Sequence, residues 1–267
     1  QRHRPHRRGN PGVPSGGQDD GTIVTRLKIG TRGSELALWQ ANAVAAELKK
    51  RSGRESELVI ITTTGDRLTH ANLSTVGGKR VFVKEIEQAL LCRDIDLAVH
   101  SAKDMPAELP DGLAIAAVLP REDPRDAVIL PANIARQDGQ TAAELVASQG
   151  FKPCVGSGSV RRIAQLRRAW PTARFQLVRG NVGTRLRKLD EGGYDLLILA
   201  AAGLKRLGKE ELITELVDTT VILPAVGQGA LALVCRRNDD SFREELLAID
   251  DPSSHEAILA ERAFLKR

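Results

Sequence analysis

From Arg26 onward, short apolar runs alternate with amphipathic stretches. RLKIGT (26–31) reads as a strand. SELALWQANAVAAELKKR then spaces its apolar residues as a helix, with Ser34 placed to cap it and Lys49, Lys50 and Arg51 set against the negative end of its dipole. ELVII (57–61) predicts a buried strand. The stretch from Thr62 to Arg80 is polar and glycine-bearing, too long for a tight connection, and predicts a mobile loop or lid. VFVKEIEQALL reads as a helix and DLAVH as a strand. LAIAAVL and DAVIL follow as strands, separated by the charged, hinge-like PREDPR (120–125).

A second series repeats the scheme. It predicts a helix over 141–148, strand PCVG, a helix over 159–169, strand RFQLV, a helix after Asn181, strand DLLILA and a helix over 203–207. Strands TVILP (220–224) and ALALVC (230–235) come next, then helices over 241–249 and 254–266. Repeated βα units predict an α/β fold with mixed, mostly parallel sheets covered on both faces, and two such sheets joined by crossing segments leave a cleft. The expected division is a flexible extension over 1–25, a first domain from 26–121 plus 226–250, a second over 122–225, and the start of a further unit over 251–267.

With 267 residues and 42% hydrophobic content, two ordinary cores are affordable, and aromatics at 3% leave those cores to aliphatic side chains. No apolar run approaches the roughly 18 residues of a membrane span, and no apolar segment near the start reads as a secretory signal. The three cysteines, Cys92, Cys154 and Cys235, are too scattered for a disulfide framework or a metal cluster; they read as buried, reduced thiols, which favours a reducing compartment and a cytoplasmic location.

The net charge of +5 matters less than its placement, since four arginines fall within the Pro/Gly-rich first 25 residues. Residues 145–189 contain no Asp or Glu but ten Lys and Arg. Within that stretch GSGSVRR (156–162) is a strand-to-helix turn with small residues, the hydroxyls of Ser157 and Ser159, and Arg161 and Arg162 in the first helical turn. The helix dipole disfavours cations there, so a bound anion is the natural compensation. VRGNVGTR (178–185) repeats the design with Arg179 and Arg185, and IGTRGS (29–34) does so with Arg32 and Ser34. Arginine's planar fork suits carboxylates. By contrast, Arg167, Arg168, Arg187 and Lys188 fit a solvated basic face equally well. HSAKDMP (100–106) follows strand DLAVH, where α/β folds place their chemistry; Asp104 beside Lys103 offers a carboxylate able to hold an N–H and stabilise positive charge on a ring. His100 reads as structural. Together these features predict a cleft for a small polycarboxylate, without metal.

TRGSELALWQ, VGGKRVFVKEIEQALL, DLAVHSAKDMP, REDPRDA, RGNVGTRLRKLDEGGYDLLILAAAGLKRLG, LPAVGQGAL and AERAFLKR resemble the porphobilinogen deaminase (hydroxymethylbilane synthase) family, in the family's order, from about Arg26 to Arg267. The resemblance implies two periplasmic-binding-protein-like domains and a transferase of tetrapyrrole (heme) biosynthesis that joins four porphobilinogen molecules into hydroxymethylbilane with loss of ammonia. It implies Asp104 as the catalytic aspartate, holding pyrrole N–H groups and stabilising the cationic azafulvene. Ser101, Lys103, Asp104, Ser157, Ser159, Arg161, Arg162, Arg185 and Gln228 would hold a dipyrromethane cofactor, Gln228 beside the domain crossing. Arg32, Ser34, Arg179, Arg185 and Arg206 would hold substrate. The segment from TTTGD to VGGKR resembles the family's mobile segment near the site.

Three departures stand out. Gly158 replaces a hydroxyl residue in the anion turn, which predicts a changed contact, and Ala102 replaces a larger apolar residue. Arg267 comes before the Gly-Gly-Cys loop that carries the cofactor in the family, so this chain, taken by itself, is expected to be inactive, with the family's third domain absent. A non-enzymatic anion-binding protein of periplasmic-binding-protein type is the alternative. Nucleic acid is disfavoured because only Trp170 and Phe175 lie near the basic stretch, leaving no stacking platform. The expected partner is porphobilinogen and the expected state a monomer.

Overall fold

A computed structural model describes residues 26–67, 81–134 and 139–266. The expected extension over 1–25 and most of the expected lid, 68–80, lie outside them.

Strand β1 (Leu27–Thr31), helix α1 (Glu35–Ser52), β2 (Ser56–Ile60), the short α2 (Thr64–Arg67), α3 (Lys84–Leu91), β3 (Leu97–Ser101) and β4 (Leu113–Val118) come first. The chain then crosses through 119–125 to β5 (Asp126–Ile129), α4 (Ala142–Ser148), β6 (Cys154–Gly156), α5 (Val160–Ala169) and β7 (Arg174–Gln176). After α6 (Val182–Asp190), β8 (Leu196–Ala200), α7 (Ala201–Arg206) and β9 (Glu215–Val217) it crosses back to β10 (Leu231–Arg236), α8 (Asp240–Leu247) and α9 (Pro252–Leu265).

The two sheets share one plan. Their orders are β2-β1-β3-β10-β4 and β7-β6-β8-β5-β9. In each, the three strands at one side pair in parallel and the next strand is reversed, so four of five strands run the same way. The reversed strand is in each case the one entered directly from the other sheet, β5 on the way out and β10 on the way back. The mostly parallel expectation therefore holds in direction, with one antiparallel insertion per sheet.

Central strands are buried on both faces, and alternation sorts their side chains between two layers. Leu97, Val99, Leu233 and Cys235 pack with Val44 and Leu48 of α1 and Phe242 and Leu246 of α8, whereas Ala98, Ala232 and Val234 pack with Ile86 and Leu90 of α3 and Ile258 of α9. In the second sheet Val155, Leu196 and Ile198 meet Leu166 and Trp170, and Leu197 and Leu199 meet Leu189 and Leu204. Truncating such a leucine to alanine costs about 2–5 kcal/mol.

Three local expectations need correction. β2 is an edge strand rather than a buried one, and its Ile60 is 59% exposed. TVILP is a turn: Asp218 Oδ1 accepts from Thr220 N at 2.7 Å and Oγ1 at 2.6 Å, which diverts the chain, so the strand beside β5 is Glu215–Val217. Cys154 and Cys235 are buried free thiols, but Cys92 is exposed.

Candidate ligand-binding cleft

Because β1, β3, β6, β7 and β8 run parallel within their sheets, each delivers its carboxyl end, and the turn after it, to one side of its sheet. Every candidate turn read from the sequence sits at such an end. After β1, Ser34 caps α1, its hydroxyl accepting from Ala37 N. Arg32 lies 4.5 Å over the Phe82 ring, and its guanidinium is forked onto the Asp66 carboxylate of α2. Burial pushes the Asp66 carboxyl up, but hydrogen bonds from Arg32 and Thr63 outweigh it and hold it below the usual range.

After β3, Ala102–Asp104 form a 3-10 turn. Its tightness has a visible cause: a Cβ on Gly227, at φ +74°, would come within 2.8 Å of Ala102, so the second crossing segment packs backbone to backbone on the turn. The small Ala102 permits that approach. Burial draws the Lys103 ammonium down to about 8, offset in part by Asp104 and reinforced by Arg162. The Asp104 carboxylate is half-buried, and no hydrogen bond among the described residues holds it. Arg32, Ser34, Gln40, His100 and Asp104 line one recess, with about 450 Å³ of open space. His100 is kept neutral by burial and by Arg32, which draw it down to about 4. It is therefore unprotonated at neutral pH and only a weak base there.

The turn after β6 departs most from expectation. Ser159 caps α5 and accepts from Arg162 N, and Ser157 Oγ accepts from Ser159 N at 3.3 Å. Arg161 and Arg162, expected to grip a ligand, already hold an internal anion. Asp126, the first residue of β5, is fully buried; it receives Arg161 Nη2 at 2.7 Å, Arg162 Nε at 3.0 Å and Nη2 at 2.7 Å. Arg162 also donates to Ile198 O at 3.1 Å and is buried, so it lies beneath the cleft. Arg161 reaches Leu223 O as well, but is more exposed. Burial pushes Asp126 up, and the two guanidiniums outweigh it and hold the carboxyl down. Gln228 is buried at the crossing as expected, donating to Pro124 O at 2.6 Å and to Asp126 Oδ1 at 2.8 Å.

After β7, Asn181 caps α6, and Arg179 and Arg185 flank the turn; Arg185 Nε donates to Gly180 O at 2.8 Å. Its pKa is lowered by burial and by the like charge of Arg162, with Asp104 partly compensating. A Cβ on Gly158 would stand 2.8 Å from Val178 O and 3.8 Å from the Arg185 guanidinium, so the backbone has closed over the space a side chain would take. Arg206, in α7, is buried, donates to Gly229 O at 2.6 Å, and is drawn down to about 10 by burial against the pull of Glu122. A second recess, formed by Gln40, Ser101, Lys103, Arg206 and Gly229, lies where the first turn of α1 meets α7.

Sequence reasoning missed Asp66, Asp126 and Gln40. Asp126 stood inside REDPRDA, but nothing local ties it to arginines some 35 residues away. It also missed the strap over the crossings, in which Arg121 and Gly227 N both bind the Glu261 carboxylate of α9.

The desolvated cations Lys103, Arg185 and Arg206, next to an unrestrained carboxylate, suit a ligand that brings several carboxylates and an N–H. No group of His, Cys, Asp and Glu suited to a metal occurs among the described residues, and no helix there is long and apolar enough to cross a membrane.

Residues 27–244 match the profile of the porphobilinogen deaminase, dipyrromethane cofactor binding domain. The chain is 50% identical over 245 residues to porphobilinogen deaminase of Geobacter sulfurreducens, covering 91% of this chain and 74% of that protein. It is 50% identical over 243 residues to the Trichlorobacter lovleyi enzyme, with the same coverage. Among solved structures, immunogenic lipoprotein A from Vibrio vulnificus superposes with a TM-score of 0.50 at 14% identity, over 88% of this chain and 99% of that one. The methionine-binding protein MetQ superposes with 0.50 at 13%, over 90% and 96%. These two share the fold, which is periplasmic-binding-protein-like.

Proposed function

The chain belongs to the porphobilinogen deaminase family, and from that premise we propose that its cleft binds porphobilinogen and dipyrromethane for the transferase reaction that builds hydroxymethylbilane. The observation that carries this reading is the half-buried Asp104 carboxylate, unrestrained by any hydrogen bond among the described residues and set within the fields of Lys103 and Arg185. Each addition breaks the aminomethyl C–N bond of porphobilinogen, forms a C–C bond to a free pyrrole α carbon, and releases ammonia while that carbon loses its proton. Asp104 accepts the pyrrole N–H and stabilises the positive charge that grows on the ring as ammonia leaves. Lys103 and Arg185, whose charges stand beside that carboxylate, are the cations placed to receive acetate and propionate groups. Arg32, Ser34, Arg179 and Arg206 extend the donor set, with Ser101, Ser157 and Ser159 adding hydroxyls, while Arg162 and Gln228 support the floor through Asp126 and Arg161 spans floor and cleft.

Dipyrromethane, when bound, supplies the pyrrole terminus to which the first porphobilinogen is joined. The donor set fits it: the cations drawn down by burial, Lys103 and Arg206 above all, are returned to their ordinary ionisation by carboxylates. None of the chain's three cysteines follows a Gly-Gly pair, so these 267 residues expressed alone are expected to bind pyrroles without elongating them. Calorimetric titration with porphobilinogen tests the reading. Binding that weakens with salt and drops about tenfold or more in Arg185→Ala is expected. Equal binding of a pyrrole without carboxylates overturns it, and sustained hydroxymethylbilane output by these residues alone overturns the expectation about elongation.

A further inference from the structure

Gln40 is a polar residue in an apolar stripe. On α1 the buried positions are Gln40, Ala41, Val44 and Leu48, the face that packs on the first sheet. The last three fill the core, but Gln40 is 4% exposed and carries an amide into a place where leucine or methionine would pack at no polar cost. Among the described residues its side chain makes one hydrogen bond, from Nε2 to Ser101 Oγ at 2.8 Å, across 61 positions of sequence. That bond holds the carboxyl end of β3, two residues before Lys103 and three before Asp104. Gln40 and Ser101 also form, with Leu36, the wall shared by the two recesses described above.

The direction of the bond decides what it does. An amide N–H can only donate, so Ser101 Oγ accepts, and the single hydroxyl proton of Ser101 is left for another acceptor. A serine held in this way is an oriented donor. The hydroxyl borders both recesses: in one the charged side chains beside it, Lys103 and Arg206, are cations that accept nothing, and across the other no hydrogen bond among the described residues joins it to Asp104. A ligand carboxylate is the acceptor that completes the set.

We propose that Gln40 is a positioning residue of the cleft, whose amide fixes Ser101 so that the serine hydroxyl donates to a carboxylate of the bound pyrrole. The inference rests on the reading of the cleft as a porphobilinogen site. It makes Gln40 a determinant of ligand carboxylate recognition rather than of the fold, acting through Ser101 and not by touching the reacting atoms.

The test is porphobilinogen titration of the whole chain in four variants: Gln40→Met, Gln40→Glu, Ser101→Ala and the double Gln40→Met/Ser101→Ala. Methionine keeps the volume and removes the donor. A hydrogen bond to a charged group corresponds to roughly a tenfold change in affinity, so Gln40→Met and Ser101→Ala are each expected to raise Kd about tenfold. The double variant is expected to be no weaker than Ser101→Ala, because the amide acts only through the hydroxyl. Gln40→Glu is the sharper probe. Ionised, it accepts the serine proton and turns it away from the ligand, so binding at pH 8 weakens; protonated, it donates again, so affinity recovers as pH falls toward 5.5. A packing role would show neither the non-additivity nor that recovery. Additive effects, or wild-type affinity of Gln40→Glu at pH 8, overturn the proposal while leaving the cleft reading intact. Failure of the wild-type chain to bind porphobilinogen overturns both.

Discussion

Removing the charge of Asp126 tests whether the two crossing segments and α5 are held together by one carboxylate. Asn at 126 keeps the shape and one acceptor, but it replaces an anion under two guanidiniums with a neutral amide whose N–H₂ faces donors. The contributions of the two arginines differ. The Arg161 side chain is 24% exposed and can turn to water, so its loss is small. The Arg162 side chain is 7% exposed and keeps only Ile198 O, so it is left as an uncompensated buried charge. Breaking a buried pair from one side costs about 3–5 kcal/mol, and the retained acceptor of Asn puts Asp126→Asn near the lower end, at about 3 kcal/mol. Urea denaturation followed by circular dichroism reads this as a lower midpoint at unchanged slope. Replacing both partners with apolar residues, Asp126→Leu with Arg162→Met, is expected to recover most of that loss, because the desolvation cost of the pair disappears along with its attraction. A loss below about 1 kcal/mol in Asp126→Asn would refute the reasoning, since Arg162 would then have found another anion or water.

Two further predictions follow from the same geometry. Porphobilinogen affinity should fall as pH rises above about 8: the free chain then releases the Lys103 proton, whereas a bound carboxylate raises that pKa, so binding needs proton uptake, by at most tenfold in affinity per pH unit; Lys103→Met should flatten the profile between pH 7 and 9, and a flat wild-type profile would remove Lys103 from the site. Glu261→Gln should lower stability by about 1–2 kcal/mol by weakening charge-assisted bonds from Arg121 and Gly227 N, with a midpoint shift in urea as the readout and an unchanged midpoint counting against the strap.

Local periodicity made most elements legible. Ser34 caps the helix it is expected to cap, and Ser159 and Asn181 stand as caps at the starts of the helices read from those turns, because an N-cap is a contact within three residues and leaves its mark in the sequence. The turns at the strand ends were legible for the same reason. An apolar run such as ELVII does not reveal whether its strand lies at an edge. TVILP carries the apolar pattern of a strand, but the Asp218 side chain, and not the apolar run, decides the backbone there. The partners of the arginines were not legible at all. Arg32 with Asp66, and Arg161 and Arg162 with Asp126, are separated by about 35 residues, and only the way β5 enters the second sheet puts a carboxylate under α5. Gln40 escaped notice because one amide in a helix face carries no pattern of its own.

These pairings change what the excess of arginine means. Counted along the sequence, residues 145–189 hold ten cations and no acid, which points to an anionic partner. In the fold, Asp126 takes up Arg162 and part of Arg161, Arg187 reaches Glu191, and Arg167, Arg168 and Arg174 are exposed. Around the cleft a smaller group drawn from both sheets is held out of water: Lys103 from the first, Arg185 and Arg206 from the second, each with its pKa lowered chiefly by burial. Holding those charges out of water costs the free protein stability, and a ligand carboxylate returns it. Since the three cations come from different sheets and the crossings between them are pinned by Gln228 and Glu261, the proposed site would take a multi-carboxylate pyrrole as one unit only while both sheets keep their register. Porphobilinogen should therefore raise the unfolding midpoint of the wild-type chain, and raise it less in Asp126→Asn, where the floor beneath the cleft is no longer fixed.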